Sequence, residues 1–237
     1  MAARRASSES PDARGEAARQ ALIIAALESF GRYGFDAASV RDICDRAGAN
    51  VAAVNYHFGS KEGLYLAVAE FLANGMAMGT AHVLEPSRVY LATGKRTAEA
   101  TEQHLGGLLR ALVLSMFANV RDSSPALFVL REQSEPTSAF ALIFERLLKP
   151  MHETITALVA DRIGIAATDL EAVIRAHALI SQCVGFKAAK AALQKRTGWS
   201  SADDPGQDNV ELIADVVVEH SIGALRAVAA GKRRGGK

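Results

Sequence analysis

Hydrogen-bonding side chains are concentrated in one short stretch, GANVAAVNYHFGSKEGLY, at residues 48–65. Within it, Asn55, Tyr56, His57 and Lys61 offer an amide, a phenol, an imidazole and an ammonium group. An asparagine amide can pair with adenine in the major groove or contact a phosphate. A lysine and free N–H groups at a helix N-terminus favour a phosphate. The stretch therefore predicts a surface that contacts nucleic acid, with His57 and Lys61 near phosphates.

Helix caps and small residues indicate how this surface is presented. Asn50 is suited to cap a helix that begins at Val51, and Ser60 is suited to cap the following helix. The helix between them has barely two turns, so its neighbours must hold it in place. Ala52 and Ala53 are small enough to let it approach a groove closely.

Another short helix is predicted immediately before this one. Ser39 can cap it, an acid follows three residues later, and Gly48 ends it. Two short helices joined by a tight turn that contains glycine form the helix-turn-helix pattern. On the inner side of the pair we expect Val51, Val54 and Phe58 to be buried.

The order of residues in SVRDICDRAGANVAAVNYHFGSKEGLYLAV resembles the DNA-binding domain of the TetR family of bacterial repressors. The resemblance covers about residues 16–71. It implies phosphate contacts at Ser39, His57 and Lys61. It implies base contacts at Ala52, Asn55 and Tyr56, on the outward face of the short helix. The complete predicted DNA-binding set is Ser39, Val40, Arg41, Asn50, Ala52, Ala53, Asn55, Tyr56, His57 and Lys61.

Two positions depart from the family pattern. The family usually has tyrosine where this chain has Asn55, and often threonine or serine where it has Ala53. Backbone contacts that the family makes at these positions therefore do not carry over directly. Asn55 is a candidate to read a base instead.

The rest of the chain shows helical periodicity and no strand-like alternation, which predicts an all-α fold with about nine helices. After the four N-terminal helices, Pro86 marks a change of character. The helix at 137–163 is expected to kink at Pro150. Further helices are predicted at about 99–121, 124–135, 137–163, 169–196 and 210–231. The predicted division is a flexible tail (1–14), a helix-turn-helix domain (15–72), a larger ligand-binding and dimerisation domain (73–231) and a basic tail (232–237).

The TetR resemblance implies that the C-terminal helices form a ligand pocket and a dimer interface. The segment LREQSEPTSAFALIFERLLKPM resembles the CecR-like branch of that family. The candidates for the ligand pocket lie mainly in the middle helices. Apolar residues would line the pocket and a few polar residues would orient the ligand, and one further histidine lies later in the chain. These candidates have alternative interpretations. The aromatic residues could simply pack in the core, His177 could be a core histidine with satisfied hydrogen bonds, and Arg131 and Glu132 could lie on a solvated face. The candidates are His104, Met116, Phe117, Phe128, Arg131, Glu132, Phe140, Phe144 and His177.

The last two predicted helices are apolar on two sides, which suits packing within the domain and against a twofold mate. We therefore expect a homodimer through these helices. The apolar residues concerned are Val173, Ile174, Leu179, Ile180, Val184 and Phe186 in one helix, and Leu212, Ile213, Val216, Val217 and Ile222 in the other.

Composition limits the other possibilities. Hydrophobic residues make up 49% and charged residues 22%, which is ordinary globular composition, and the net charge is only +1. Affinity for DNA must therefore come from local placement of charge. No apolar run is long enough for a membrane span, and the N-terminus does not resemble a secretory signal, so we expect a cytoplasmic protein. Cys44 and Cys183 form either a redox switch or, as we favour, two small buried core residues.

These observations favour a ligand-responsive, homodimeric transcriptional regulator. Repression is the expected output, on a pseudo-palindromic operator in double-stranded DNA, with release by a small-molecule effector. We expect no enzyme activity, cofactor, metal or membrane partner. One alternative is an all-α enzyme that uses His104, Glu132 and His177, although no spacing ties these residues together. The other alternative is a helical adaptor that binds only protein.

Overall fold

The computed structural model describes residues 11–118, 124–199 and 205–235. Within these ranges the chain is helical and contains no strand, which confirms the all-α prediction. The helices are α1 (Pro11–Ala37), α2 (Val40–Ala47), α3 (Val51–Phe58), α4 (Lys61–Ala92), α5 (Ala98–Phe117), α6 (Ser124–Ser134), α7 (Ser138–Ile143), α8 (Lys149–Ile163), α9 (Leu170–Ala188), α10 (Lys190–Thr197) and α11 (Gln207–Gly235), with a π-helical turn at Phe144–Leu148.

Several predicted features fall partly or wholly outside the described residues. They are most of the N-terminal tail, the end of the helix predicted at 99–121, part of the polar loop before α11 and the end of the basic tail. Of the predicted tail at 1–14, the last four residues belong to α1.

Two of the predicted helices are each divided into two in the structure, so the described residues form eleven α-helices where about nine were predicted. The region predicted as one helix at 137–163 is divided by the π-helical turn. Pro150 does not kink a continuous helix; it lies in the first turn of α8, where its missing N–H would have no intrahelical partner anyway. The region predicted at 169–196 is divided at Ala189, whose backbone is not helical.

Helix α4 is longer than the sequence indicated, since it continues through Pro86 to Ala92. A proline inside a helix removes one backbone hydrogen bond. Leu84 and Ser87 beside it are buried, so packing holds this turn in helical form. By contrast, Gly34 interrupts the helical backbone of α1, with φ 81° and ψ 175°.

The chain forms two compact units. The first comprises the chain up to Ala73 together with Ser124–Ile143, and the second comprises the remainder. Ser124–Ile143 was predicted to belong to the larger domain. The difference arises because α6 packs along α1 at very short range. A Cβ on Gly31 would lie 2.5 Å from the Ser124 carbonyl oxygen.

Each unit has its own apolar interior. In the first, α1 contributes Leu22, Ile23 and Phe30, which are fully buried. In the second, α5, α8, α9 and α11 pack against one another around a continuous core. None of the described helices is long and apolar enough to cross a membrane.

Candidate nucleic-acid interface

Side-chain caps hold the two short helices α2 and α3. The Ser39 hydroxyl oxygen accepts a hydrogen bond from the Asp42 N–H at 3.3 Å. The Asn50 side-chain oxygen accepts one from the Ala53 N–H at 2.9 Å. Both predicted caps are confirmed. Gly48 adopts the left-handed conformation between the helices, with φ 65°, and its N–H donates to the carbonyls of the last turn of α2.

The inner side of this helix pair contains Ile43, Cys44 and Val54, all fully buried. Phe58 is half-buried, and the Arg19 guanidinium lies 5.6 Å from the centre of its ring. The expected burial of Val51 is wrong, because its side chain is 48% exposed. It is the first residue of α3, and Asn50 and Ala52 on either side of it are exposed as well.

The outward side of α3 carries the predicted base-contacting residues. Tyr56 is 84% exposed, and Ala52 and Asn55 are also exposed. The imidazole of His57 lies against the Tyr56 ring, with 4.9 Å between ring centres. Of the other predicted contacts, Arg41 and Asn50 are exposed, while Ser39, Val40, Ala53 and Lys61 are half-buried. All ten predicted residues therefore lie in α2, in α3 or at the adjoining helix ends. Their contact with DNA stays a prediction.

A capped, closely packed corner joins α3 to α4. The Ser60 hydroxyl oxygen accepts a hydrogen bond from the Gly63 N–H at 3.1 Å, as the predicted cap requires. At Gly63 a Cβ would lie only 1.9 Å from the Phe58 carbonyl oxygen, so this position needs glycine. Lys61 stands at the start of α4, and its ammonium group lies 3.3 Å from the Asp36 carbonyl oxygen. The predicted phosphate-binding lysine is therefore held beside the end of α1.

Hydrogen bonds at the same helix start affect Glu62. Its own backbone N–H and the Ser60 hydroxyl stabilise the charged carboxylate and lower the pKa of Glu62. An ionised acid in the first turn is favourable for the helix dipole of α4.

The nine predicted pocket residues do not lie in one unit. Phe128, Arg131, Glu132 and Phe140 belong to the first unit, and the other five belong to the second. Glu132 is not on a solvated face, since it is completely buried and accepts hydrogen bonds from Tyr65 and Thr137. Phe128 is buried against the Tyr65 ring, with 4.8 Å between ring centres. These two residues therefore belong to the interior of the first unit.

In the second unit, the predicted pocket residues have different surroundings. His104 stacks on Tyr90 with 4.4 Å between ring centres. His177 is exposed, so the alternative of a buried core histidine is wrong, and its nearest aromatic neighbour is His152 at 5.8 Å. Of the remaining three, Phe117 is buried, Met116 is half-buried and Phe144 is partly exposed.

A groove of about 480 Å³ lies among α9, α10 and α11, and it contains none of the nine predicted pocket residues. Small side chains on α9 and α10 line it together with two valines of α11. This groove was not predicted from the sequence. The lining consists of Gln182, Gly185, Phe186, Ala189, Ala192, Leu193, Arg196, Val216, Val217 and His220.

The cysteines are buried free thiols, as the favoured interpretation predicted. Burial raises the pKa of Cys44, with a further contribution from Asp45. Burial also raises the pKa of Cys183 to about 12. Among the residues that the structure describes, no three metal-ligating side chains come together.

A capped pair of short helices with an exposed outer face, followed by a helical second unit, defines a helix-turn-helix DNA-binding protein. Comparisons with known proteins agree. Residues 22–68 match the family described as bacterial regulatory proteins, tetR family. Residues 101–225 match the family described as the C-terminal domain of the HTH-type transcriptional dual regulator CecR.

Full-length relatives and solved structures extend these matches. The dual regulator CecR of Shigella flexneri is 35% identical over 215 residues, which cover 87% of this chain and 91% of that protein. The regulator RaaS of Mycobacterium tuberculosis is 44% identical over 61 residues, which cover 26% of this chain and 28% of that one. The fold also matches AibR, solved with isovaleryl coenzyme A and operator DNA, at a TM-score of 0.61 and 16% identity, covering 86% of this chain and 97% of that one. The chain belongs to the TetR family of bacterial transcriptional regulators, in its CecR branch.

Proposed function

We propose that this regulator acts as a homodimer that represses transcription from a pseudo-palindromic operator and leaves it when a small-molecule effector binds. The observation that supports the proposal is the outward face of α3, where exposed Asn55 and Tyr56 stand on a capped helix. Beside them, the Lys61 ammonium group at the start of α4 lies 3.3 Å from the Asp36 carbonyl oxygen, and we assign it a contact with a DNA phosphate. We expect the protein to act in the cytoplasm.

In this proposal two α3 helices enter successive major grooves, about 34–36 Å apart from centre to centre. Asn55 hydrogen-bonds to a base edge or to a phosphate, and Ser39, His57 and Lys61 contact phosphates of the DNA backbone. Effector binding favours a form of the dimer whose α3 helices no longer match the grooves. The effector can shift this equilibrium only by its differential affinity for the two forms.

Operator binding is tested with DNA from the region upstream of the gene that encodes the protein. We expect Asn55→Ala to weaken binding by about tenfold, the equivalent of one good polar base contact. Lys61→Ala is expected to lower the slope of log affinity against log salt by about one unit, since one phosphate contact is lost. Lys149→Ala removes an exposed lysine from the second unit and serves as the matched control. Unchanged footprints with both Asn55→Ala and Lys61→Ala would contradict the proposed site.

Dimerisation is proposed through α9 and α11. Ile174 and Leu212 are more than half exposed on these helices, and Leu170 is 71% exposed at the start of α9. Large apolar side chains clustered on a surface mark sites of protein association. We expect Ile174→Glu and Leu212→Glu to give monomers in sedimentation equilibrium and to weaken operator binding. Val89→Glu, a change at an equally exposed valine of α4, is the control. A dimer that persists in both charged variants excludes this interface.

The output and the effector are tested together in a transcription assay. We expect purified protein to reduce transcript from its target promoter, and small molecules that restore transcript to weaken operator binding in parallel. The CecR relative is called a dual regulator, so the assay must score increases as well as decreases. An increase of transcript on protein addition, with the operator occupied, would replace repression by activation.

A further inference from the structure

A fully buried carboxylate connects three elements of the first unit. Glu132 lies near the end of α6 and has no exposed surface. Its carboxylate accepts a hydrogen bond from the Tyr65 hydroxyl of α4 at 2.5 Å. It also accepts from the Thr137 N–H at 3.1 Å and from the Thr137 hydroxyl at 2.9 Å, just before α7. Such a group is costly to bury unless its oxygens are satisfied, and here both oxygens accept hydrogen bonds.

Aromatic rings surround Tyr65, the partner of this carboxylate. Edge-to-face contacts join it to Phe30 and Phe35, with ring centres 4.9 Å and 5.1 Å away. Burial and the hydrogen bond to Glu132 raise the pKa of Tyr65, so its hydroxyl remains protonated and donates. The direction of that hydrogen bond fixes where the Tyr65 ring lies, and the ring in turn limits where Phe35 can lie.

Phe35 contacts the predicted phosphate-binding lysine directly. The Lys61 ammonium group lies 4.7 Å from the centre of the Phe35 ring, within the range of a cation–π interaction. Lys61 is also one helical turn before Tyr65 in α4, so the two residues share a helix face. A continuous series of contacts therefore runs from the buried Glu132 through Tyr65 and Phe35 to Lys61.

We infer that Glu132 is a positioning residue for DNA binding: its carboxylate holds Tyr65, and through Phe35 it places the Lys61 ammonium group for a phosphate. The inference rests on the proposed function, since it assumes that Lys61 contacts DNA. It assigns a role to Ser124–Ile143, a segment distant in the sequence from α2 and α3 that nevertheless belongs to the same unit. A carboxylate suits this role better than an apolar residue because its hydrogen bonds allow one orientation of the Tyr65 ring.

The test uses Tyr65→Phe and Glu132→Gln in the full-length protein. Each variant is studied under conditions where thermal unfolding shows that it is folded. Operator affinity is measured over a series of salt concentrations. We expect both variants to bind about tenfold more weakly and to lose up to one unit of salt slope, as Lys61→Ala does. Tyr65→Phe removes only a hydroxyl, so it supplies the result if Glu132→Gln does not fold.

Coupling between the residues provides a sharper readout. The operator affinity of the Tyr65→Phe/Glu132→Gln double variant is expected to equal that of whichever single variant binds the operator less tightly. The two effects do not add because both changes break the same hydrogen bond. Tyr65→Phe combined with Lys61→Ala is expected to lose no more salt slope than Lys61→Ala alone. Glu135→Gln, at an exposed glutamate just after α6, is the matched control and leaves affinity and slope unchanged.

Two outcomes overturn the inference, and they are distinguishable. If Lys61→Ala flattens the salt dependence while Tyr65→Phe and Glu132→Gln change only the melting temperature, Glu132 has a structural role alone. If Lys61→Ala itself leaves the slope unchanged, the phosphate contact of the proposed function is wrong, and the inference is overturned with it.

Discussion

The corner formed by α2, α3 and the start of α4 and the helical bundle of the second unit are stabilised by different means. In the corner, short helices depend on hydrogen bonds at their ends. Ser39, Asn50 and Ser60 each accept one from a backbone N–H three residues later. These bonds satisfy donors that would otherwise have no partner within the helix. The corner is therefore specified residue by residue.

The bundle of the second unit depends mainly on apolar packing. Helices α5, α8, α9 and α11 bury leucines, isoleucines and valines between them. At its margin, the Glu102 carboxylate bonds to two arginines, Arg162 and Arg226, each at 2.6 Å. Packing of this kind tolerates exchange among apolar residues of similar volume. A short sequence motif is therefore not required to specify it.

This difference explains why functional residues could be predicted from the sequence in the corner but not in the bundle. In the corner, at residues 39–63, side chains that stabilise the helices alternate with side chains that face outward, so one substitution affects both folding and the outward surface. In the bundle, residues far apart in sequence meet, and no local pattern marks a binding site. Substitutions in the corner should therefore change both stability and operator binding, whereas substitutions in the bundle should change stability alone. The largest effect is expected where the corner is most closely packed.

Gly63→Val is expected to have the largest effect. Its Cβ would lie 1.9 Å from the Phe58 carbonyl oxygen, so α3 and α4 cannot keep their present angle. We expect a loss of about 3 kcal/mol in the free energy of unfolding, the upper end for overpacking, and loss of operator binding. Gly75→Ala in the same helix is the control. No atom outside the local backbone of α4 lies within 4 Å of a Cβ at this position, so the variant should gain up to about 1 kcal/mol. Chemical denaturation and DNA titration check both, and equal behaviour of the two variants would contradict the crowded corner.

Glu102→Gln tests the bundle. The side chains of Glu102 and Arg162 are only 10% and 8% exposed, so removing the charge leaves a nearly buried arginine less well paired. We expect a loss of about 2 kcal/mol in the free energy of unfolding, below the usual cost of breaking a fully buried pair, with operator affinity unchanged in the folded protein. Glu219→Gln, at an exposed position of α11, is the control.

The same variant predicts a pH dependence. Hydrogen bonds from Arg226 and then Arg162 hold the pKa of Glu102 below its ordinary value of 4.5. A lowered pKa in the folded state adds stability above the unfolded pKa, and that stability is lost as pH falls through the folded pKa. The difference in unfolding free energy between the wild type and Glu102→Gln should therefore shrink below about pH 4.5. A difference that stays constant down to pH 3 would exclude the ion pair as its cause.

Much of the first unit was predictable from the sequence because its signals are local. Caps at Ser39, Asn50 and Ser60 and the turn at Gly48 require only a few neighbouring residues, and the structure contains each of them. The outward position of Tyr56 followed from helical spacing. The exposure of Val51 was not predicted, because spacing indicates a face of the helix but not how far the neighbouring helices extend along it.

The remaining features depend on contacts between distant residues. Glu132 and Phe128 were predicted to line a ligand pocket, but they pack against Tyr65, more than 60 positions earlier. No periodicity in α6 distinguishes a face that covers α1 from one that lines a cavity. The π-helical turn at 144–148 was likewise not predicted, because no residue in its sequence, FERLL, marks a change from ordinary α-helical hydrogen bonding. Glu132 lies one helical turn after Phe128 and Val129, and an acid on that apolar helix face was the available signal of a buried hydrogen-bonding partner.

Asn50→Ala is expected to have an intermediate effect, specific to the corner. It removes the side-chain oxygen that accepts from the Ala53 N–H, and caps of this kind contribute about 1 kcal/mol. Since α3 has only eight residues, we expect fraying at its start and a loss of operator affinity of about fivefold, consistent with that energy. Hydrogen exchange at the first turn of α3 provides the measurement. Thr97→Ala removes the matching cap of α5 in the second unit and should leave operator affinity unchanged.

The smallest effect is expected for the ion pair between Arg46 of α2 and Glu28 of α1. The two groups are 3.3 Å apart, but both side chains are more than 40% exposed, so water screens their attraction. A double-mutant cycle of Arg46→Ala and Glu28→Ala should give a coupling energy of about 0.3 kcal/mol in chemical denaturation. The Glu102–Arg162 pair measured in the same way should give a clearly larger value, because its charges are shielded from water. Equal coupling energies would mean that burial of ion pairs is not a difference between the two regions. The helix caps would then be the remaining difference in how the corner and the bundle are stabilised.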